Sequence, residues 1–266
     1  MPEVSANGVS LHVQRLGSGR PTVVFIHGLV MDNLSSWYFT LGNRAASIAD
    51  VVLYDLRGHG RSERPHVGYT VLDMVDDLRA LLDQLHVDSA HLIGNSFGGL
   101  VALAFAVAHP NRTDGLVLVD GHTGAHDWAL RMTETLALQG EARDHMIAMS
   151  FRSWMGRHSQ RKRTRLGDTA RAIVYATSLI DDLRRSHVLT ESELSSISCP
   201  VLAFYGEQSD VRRDGERLAS LLSHCELRLM PDCTHSVLWE ATEEVSRSVL
   251  DWLACRGGRV NGEGGS

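Results

Sequence analysis

Lysine is almost missing from this chain: of 26 basic side chains only Lys162 is a lysine, a skew that reads as codon usage rather than as a repeated demand for guanidinium. A basic excess is missing too, since 32 acidic residues against 26 basic ones leave a net charge of -6. The balance argues against nucleic acid as the main partner, because that binding needs a cationic face. Cysteine is scarce. Cys199, Cys225, Cys233 and Cys255 form no CxxC pair and no zinc-like spacing, so they read as reduced thiols and not as a disulfide or metal framework. No apolar run approaches the roughly 20 residues that cross a bilayer. The first residues, MPEVSANGVSLHVQRLG, lack the basic and apolar regions of a secretory signal, so the expectation is a cytoplasmic protein with no membrane partner. No internal repeat is visible.

What is present fits a folded enzyme-sized chain. A length of 266 residues is long for one ordinary domain and short for two, which favours one large domain carrying an insertion. A hydrophobic content of 43% supplies a sizeable core and excludes disorder. Short β-rich runs alternate with helical patterns, the signature of a mostly parallel sheet wrapped by helices. Residues 9–15 alternate apolar and polar, as an edge hairpin strand should, whereas 22–27, 50–55, 90–94, 115–120 and 200–205 are nearly continuous apolar runs that belong inside the sheet. Residues 225–230 alternate again and are expected near the other edge. Residues 71–85 carry a helical apolar stripe; 97–108 are apolar nearly all round and predict a buried central helix; 238–255 predict a final amphipathic helix. The α/β core is thus expected over 1–120 and 196–256, with a helical cap at 121–195 and a disordered Gly-rich tail at 257–266.

The strongest chemical signal is Gly94-Asn95-Ser96-Phe97-Gly98, a GxSxG string between an apolar strand and the buried helix. In that context the string predicts a strained strand-turn-helix corner that exposes Ser96 at a helix N-terminus. A serine hydroxyl needs a base, and the base needs an orienting acid. Of 14 histidines, His235 follows the strand 225–230 by a short loop and precedes the last helix, at the carboxyl edge of the sheet where open α/β folds bind ligands. For the acid, Asp210 follows the strand 200–205 in the loop GEQSD; Asp120, at the end of LVLVD, is the alternative, and Glu207 a third choice.

The chain resembles the α/β-hydrolase fold superfamily over roughly residues 4–255, in its serine-nucleophile branch. The resemblance rests on His27-Gly28, on Asp55-Leu56-Arg57-Gly58-His59-Gly60-Arg61-Ser62, and on the GNSFGG elbow. It implies a central sheet of about eight strands, a nucleophile–acid–base chain order of Ser96, Asp210 and His235, and an oxyanion hole made by the backbone N–H groups of Phe97 and Leu29. GEQSD departs by one residue from the commoner GxxD spacing, which keeps Asp120 open as the acid. His27, Arg57 and His59 read as scaffold.

The nucleophile prunes the reactions. Members of the superfamily that open epoxides or remove halide use an aspartate at the elbow, so Ser96 points to acyl chemistry: hydrolysis of a carboxylic ester, lactone or thioester through an acyl-enzyme, with no metal or organic cofactor required. GNSFGG with His235-Ser236-Val237-Leu238-Trp239-Glu240 also resembles carbon–carbon bond hydrolases of aromatic ring-cleavage products, and Asn95 fits them. Those enzymes typically carry a tryptophan immediately after the histidine, where Ser236 stands here, and a cap arginine for the substrate carboxylate, a role open to Arg152 or Arg157. A carrier-linked thioesterase or cyclase is a further alternative, because Arg157, Arg161, Lys162, Arg163 and Arg165 form a basic run that suits an acyl carrier protein, or else a merely solvated helix face. A ligand receptor of the same fold is the non-enzymatic alternative. The substrate is expected to be a small acyl compound, with Asn95, Trp128, Phe151, Trp154 and Trp239 as candidate lining and Met132, Met146, Met149 and Met155 as adaptable filler.

Overall fold

The computed structural model describes residues 3–127, 129, 130, 134 and 172–257. Eight strands form one sheet in the order β1-β2-β4-β3-β5-β6-β7-β8. They are β1 (Glu3–Ala6), β2 (Val9–Leu16), β3 (Thr22–Ile26), β4 (Asp50–Tyr54), β5 (Ala90–Asn95), β6 (Thr113–Val119), β7 (Val201–Gly206) and β8 (Cys225–Met230). β1 and β2 are antiparallel to their neighbours and every later pairing is parallel, the mostly parallel α/β sheet expected from the alternation of elements.

β3, β4, β5, β6 and β7 are buried on both faces, which is why they read as nearly continuous apolar runs, whereas β8 at the edge is mostly half-buried. Val24 and Ile26 of β3 and Leu116 and Leu118 of β6 enter one cluster, shared with the helices Val71–Gln84 and Phe97–Ala108. Val23, Phe25, Val117 and Val119 point the other way, into a cluster with Trp37, Val245, Val249 and Trp252. The final helix, Thr242–Gly257, supplies the last three of these and runs two residues beyond the predicted end.

The alternation over residues 9–15 predicts an edge strand, but β1 holds that place. Asn7 and Gly8, both at positive φ (50° and 75°), close a two-residue hairpin between β1 and β2, and Ala6 pairs with Val9. An Asn-Gly pair is the preferred chemistry for such a turn. At the opposite edge lies β8, as expected.

Of the predicted cap interval, the helices Leu179–Arg185 and Glu191–Ser195 are described. Leu179, Leu183, Leu189 and Leu194 are buried in the same cluster as the Phe97–Ala108 face of the sheet. Thr190 and Glu193 form a reciprocal capping box at the start of the second helix. Trp128, Phe151, Trp154, Met132, Met146, Met149, Met155, Arg152, the basic run from Arg157 to Arg165, and the tail after Gly257 lie outside the described residues.

Parallel strands bring their carboxyl ends to one edge. β3, β5, β6, β7 and β8 therefore deliver residues 27–31, 95–97, 120–122, 207–210 and 231–236 to the same side of the molecule.

Candidate active site

Ser96 sits at the corner between β5 and the helix Phe97–Ala108 with φ 54° and ψ -118°, a conformation that costs free energy and persists only where its surroundings enforce it. Close packing enforces it here. A Cβ on Gly94 would lie 2.3 Å from the Gly98 carbonyl oxygen, and one on Gly98 would lie 2.2 Å from that of Ile26, so both positions require glycine. The Ser96 peptide is also tied to the end of β6: its N–H donates to the Val119 carbonyl at 3.0 Å and its carbonyl accepts from the His122 N–H at 3.2 Å.

His235 lies in the loop after β8. Thr234, its neighbour, donates its N–H to Glu240 at 2.7 Å and its hydroxyl to the same carboxylate, which anchors the loop to the helix Val237–Glu240. The imidazole then bridges two groups: Nε2 stands 2.9 Å from Ser96 Oγ, and Nδ1 stands 2.6 Å from Asp120 Oδ2.

The acid expected first was Asp210, and the geometry places Asp120 against His235 instead. Asp120 is fully buried at the end of β6, and its carboxylate is held from three sides: Oδ1 accepts the Gly206 N–H at 2.8 Å, while Oδ2 accepts from Ser209 Oγ and His235 Nδ1. Burial of a carboxylate demands such compensation. Asp210 Oδ1 lies 3.8 Å from the same Nδ1, beyond hydrogen-bond length, with its side chain 66% exposed. The reason is the extra residue in GEQSD. The turn closed by the Ser209 N–H on the Gly206 carbonyl carries Ser209, one position earlier, to the Asp120 carboxylate. Glu207 is exposed, with its N–H on the Met230 carbonyl.

Around the nucleophile, the loop after β3 is fixed by reciprocal bonds. His27 Nε2 accepts the Leu56 N–H at 3.0 Å, and His59 Nε2 accepts the Val30 N–H at 2.8 Å, so each loop places an imidazole under the other's backbone. The Gly28 N–H donates to Asp32 and the Met31 N–H to the Leu29 carbonyl. Of the four amides from Gly28 to Met31, that of Leu29 alone has no acceptor among the described residues. Phe97 opens its helix, so its N–H has no intrahelical acceptor either.

Asn95 is half-buried, with Nδ2 3.5 Å from where a Gly28 Cβ would stand, between the elbow and this loop. Trp239 is half-buried against the cluster of Trp37 and Val237. Sequence reasoning missed Ser209 and His122, whose ring lies 5.2 Å from that of His235. Position was the available signal, because both follow a predicted strand at its carboxyl end. No group of His, Cys, Asp and Glu among the described residues is arranged to hold a metal ion.

Comparison with known proteins agrees with this architecture. The sequence model described as "alpha/beta hydrolase fold" matches residues 21–174. The chain belongs to the alpha/beta hydrolase fold family. A 2-hydroxy-6-oxononadienedioate/2-hydroxy-6-oxononatrienedioate hydrolase of Paraburkholderia xenovorans (strain LB400) is 30% identical over 280 aligned positions, covering 92% of this chain and 91% of its own. Among solved structures, the enol-lactonase from Burkholderia xenovorans LB400 superposes with a TM-score of 0.76 at 23% identity, over 95% of this chain and 100% of that one. Est816, described as an N-acyl homoserine lactone degrading enzyme, superposes with a TM-score of 0.71 at 27% identity, over 94% and 100%. The chain is accordingly a hydrolase of this family with the expected fold, and no helix among the described residues is long and apolar enough to cross a membrane.

Proposed function

We propose that this hydrolase cleaves a carboxylic ester, lactone or thioester through an acyl-enzyme on Ser96, with His235 as base and Asp120 as the orienting acid. One observation carries the reading: a single imidazole spans Ser96 Oγ at 2.9 Å and a buried carboxylate at 2.6 Å. The carboxylate accepts a hydrogen bond from Nδ1–H, which leaves the Nε2 lone pair facing the hydroxyl. Ser96 Oγ attacks the carbonyl carbon as its proton passes to Nε2; the imidazolium then protonates the leaving oxygen or sulfur as the tetrahedral centre collapses. Water, deprotonated by the same nitrogen, releases the acid. We assign the oxyanion to the N–H groups of Phe97 and Leu29, each such donor being worth about 10²–10³ in rate.

Carbon–carbon bond hydrolysis is the second reading, supported by the relative that matches 92% of this chain at 30% identity. Ser236 stands against it, occupying the position after His235 where the sequence resemblance expects tryptophan. A small acyl compound fits either reading, whereas a carrier-linked substrate rests only on the basic run from Arg157 to Arg165. The four unpaired cysteines suit a reducing cytoplasm.

The test is a panel of acyl esters, lactones, thioesters and a 2-hydroxy-6-oxo-dienoate, run on wild type and Ser96→Ala beside fluorophosphonate labelling. Ester or lactone turnover that falls at least about 10⁴-fold in Ser96→Ala is expected. Turnover confined to the dienoate would overturn the first reading in favour of the second, and folded protein that neither labels nor turns over any substrate would overturn both.

A further inference from the structure

Beside the nucleophile stands an anion that the triad does not use. A Cβ built on Gly28 would lie 3.2 Å from Asp32 Oδ2, 3.5 Å from Asn95 Nδ2 and 3.5 Å from Ser96 Cβ. One point next to the reacting serine is therefore walled by a carboxylate, an amide and the nucleophile's own carbon. Asp32 is half-buried and reaches this point from the loop after β3. Its Oδ2 accepts the Gly28 N–H at 2.8 Å, while Oδ1 accepts the Asn33 N–H at 2.9 Å and the Ser36 hydroxyl. All three donors are neutral, so they hold the carboxylate in place without cancelling its unit charge. Among the described residues no cation pairs with it. Arg57, on the interlocked loop after β4, is paired with Asp77. Asp120 differs, because its charge is answered by the imidazolium that forms on His235.

We propose that Asp32 sets the charge selectivity of this site: it disfavours acyl groups that carry a carboxylate close to the reacting carbonyl and favours those that are neutral or cationic there. This deepens the Ser96 acyl-enzyme reading and rests on it. Asp32 holds the Gly28 N–H, and the next amide, that of Leu29, is the assigned oxyanion donor, so atoms attached to a carbonyl bound there come up against the carboxylate. Two like charges about 6 Å apart, at an effective dielectric constant between that of a protein surface and that of water, repel enough to change a rate about tenfold. An ammonium in the same place gains by a similar factor.

Three fluorophosphonates of one shape test it at pH 7.5, with a short alkyl arm that ends in a carboxylate, in the isosteric carboxamide or in an amine. No substrate need be known. In each reaction Ser96 Oγ bonds phosphorus, fluoride leaves, and the serine proton passes to His235. Wild type is expected to label fastest with the amine arm, then the carboxamide, then the carboxylate, with about tenfold between the last two. Asp32→Asn should shrink that carboxamide-to-carboxylate ratio to within about threefold, and Asp32→Glu, which keeps the charge, should preserve it. Loss of an anchor in Asp32→Asn loosens the loop and slows all three probes alike. The ratio therefore separates the charge of Asp32 from its structural hydrogen bonds.

A carboxylate probe that labels wild type as fast as its carboxamide, or a ratio that Asp32→Asn leaves unchanged, would overturn the proposal. Should Asp32→Asn fail to fold, Asp32→Ser, which is also neutral and still offers an oxygen acceptor, carries the same comparison. Labelling that survives Ser96→Ala, or folded wild type that none of the three probes labels, would instead overturn the acyl-enzyme reading on which the proposal rests.

Discussion

Acid should destabilise this hydrolase through His59, and the size of the effect follows from the burial of its ring. The ring is fully buried; Nε2 accepts the Val30 N–H at 2.8 Å and Nδ1 faces the Arg57 carbonyl at 2.8 Å, a pattern that only the neutral Nδ1–H tautomer satisfies. Burial first, and the neighbouring His27 second, push its pKa down to about 3 from the ordinary 6.5. Because the folded value is depressed, the unfolded chain takes up a proton that the native protein refuses, so this stability is intact above pH 6.5 and drains away as pH falls toward 3. By pH 5 the linkage costs about 2 kcal/mol. His91, packed edge-on against Trp252 and pushed down to about 4 mainly by burial, adds a similar amount. Urea unfolding of wild type is therefore expected to lose about 4 kcal/mol between pH 7.5 and pH 5 from these two rings. His59→Gln isolates one of them. The variant should be less stable at pH 7.5 by about 1–3 kcal/mol, the cost of disturbing a buried hydrogen bond, yet its stability should fall about 2 kcal/mol less on going to pH 5. Parallel stability curves for the two proteins would refute the reasoning, since they would mean that His59 titrates alike in both states.

Two substitutions probe the supports behind the site. Arg57 and Asp77 form a two-pronged ion pair with side chains 5% and 2% exposed, and Asn7 also donates to Asp77 at 3.0 Å. Arg57→Met leaves that carboxylate buried without its cation and should cost about 3–5 kcal/mol in urea unfolding, much of it recovered when Asp77→Leu is added; no recovery would show that the pair is not the cause. Gly98→Ala puts a methyl group 2.2 Å from the Ile26 carbonyl oxygen and 2.7 Å from that of His27. The elbow has to shift, displacing the Phe97 N–H, so fluorophosphonate labelling should slow by at least about 10²-fold in a protein that still folds; wild-type labelling would remove Phe97 from the oxyanion hole.

The fold was legible because two-sided burial writes itself as composition: only a strand covered on both faces tolerates VVLY or LVLV. β1 escaped notice because four residues on an outer edge need no such run, although Asn7-Gly8 marked its turn. The elbow was legible because its glycines answer to backbone contacts of 2.2–2.3 Å, a constraint that fixes residue type. The choice between Asp120 and Asp210 had no such signature. Both follow a predicted strand at its carboxyl end, and local pattern says where a residue stands along the chain, not which way its carboxylate turns. What separates them is solvation. Asp120 adopts a positive φ of 50°, which aspartate tolerates better than most residues, and it ends β6 with its carboxylate out of water under three donors. Asp210, 66% exposed, meets His235 across 3.8 Å of largely aqueous surroundings, where a unit pair is worth only about 1 kcal/mol. The Ser209 hydroxyl that helps to hold the Asp120 carboxylate comes from the loop after β7, so what fixes that carboxylate is a tertiary contact between the ends of β6 and β7 that neither segment encodes alone.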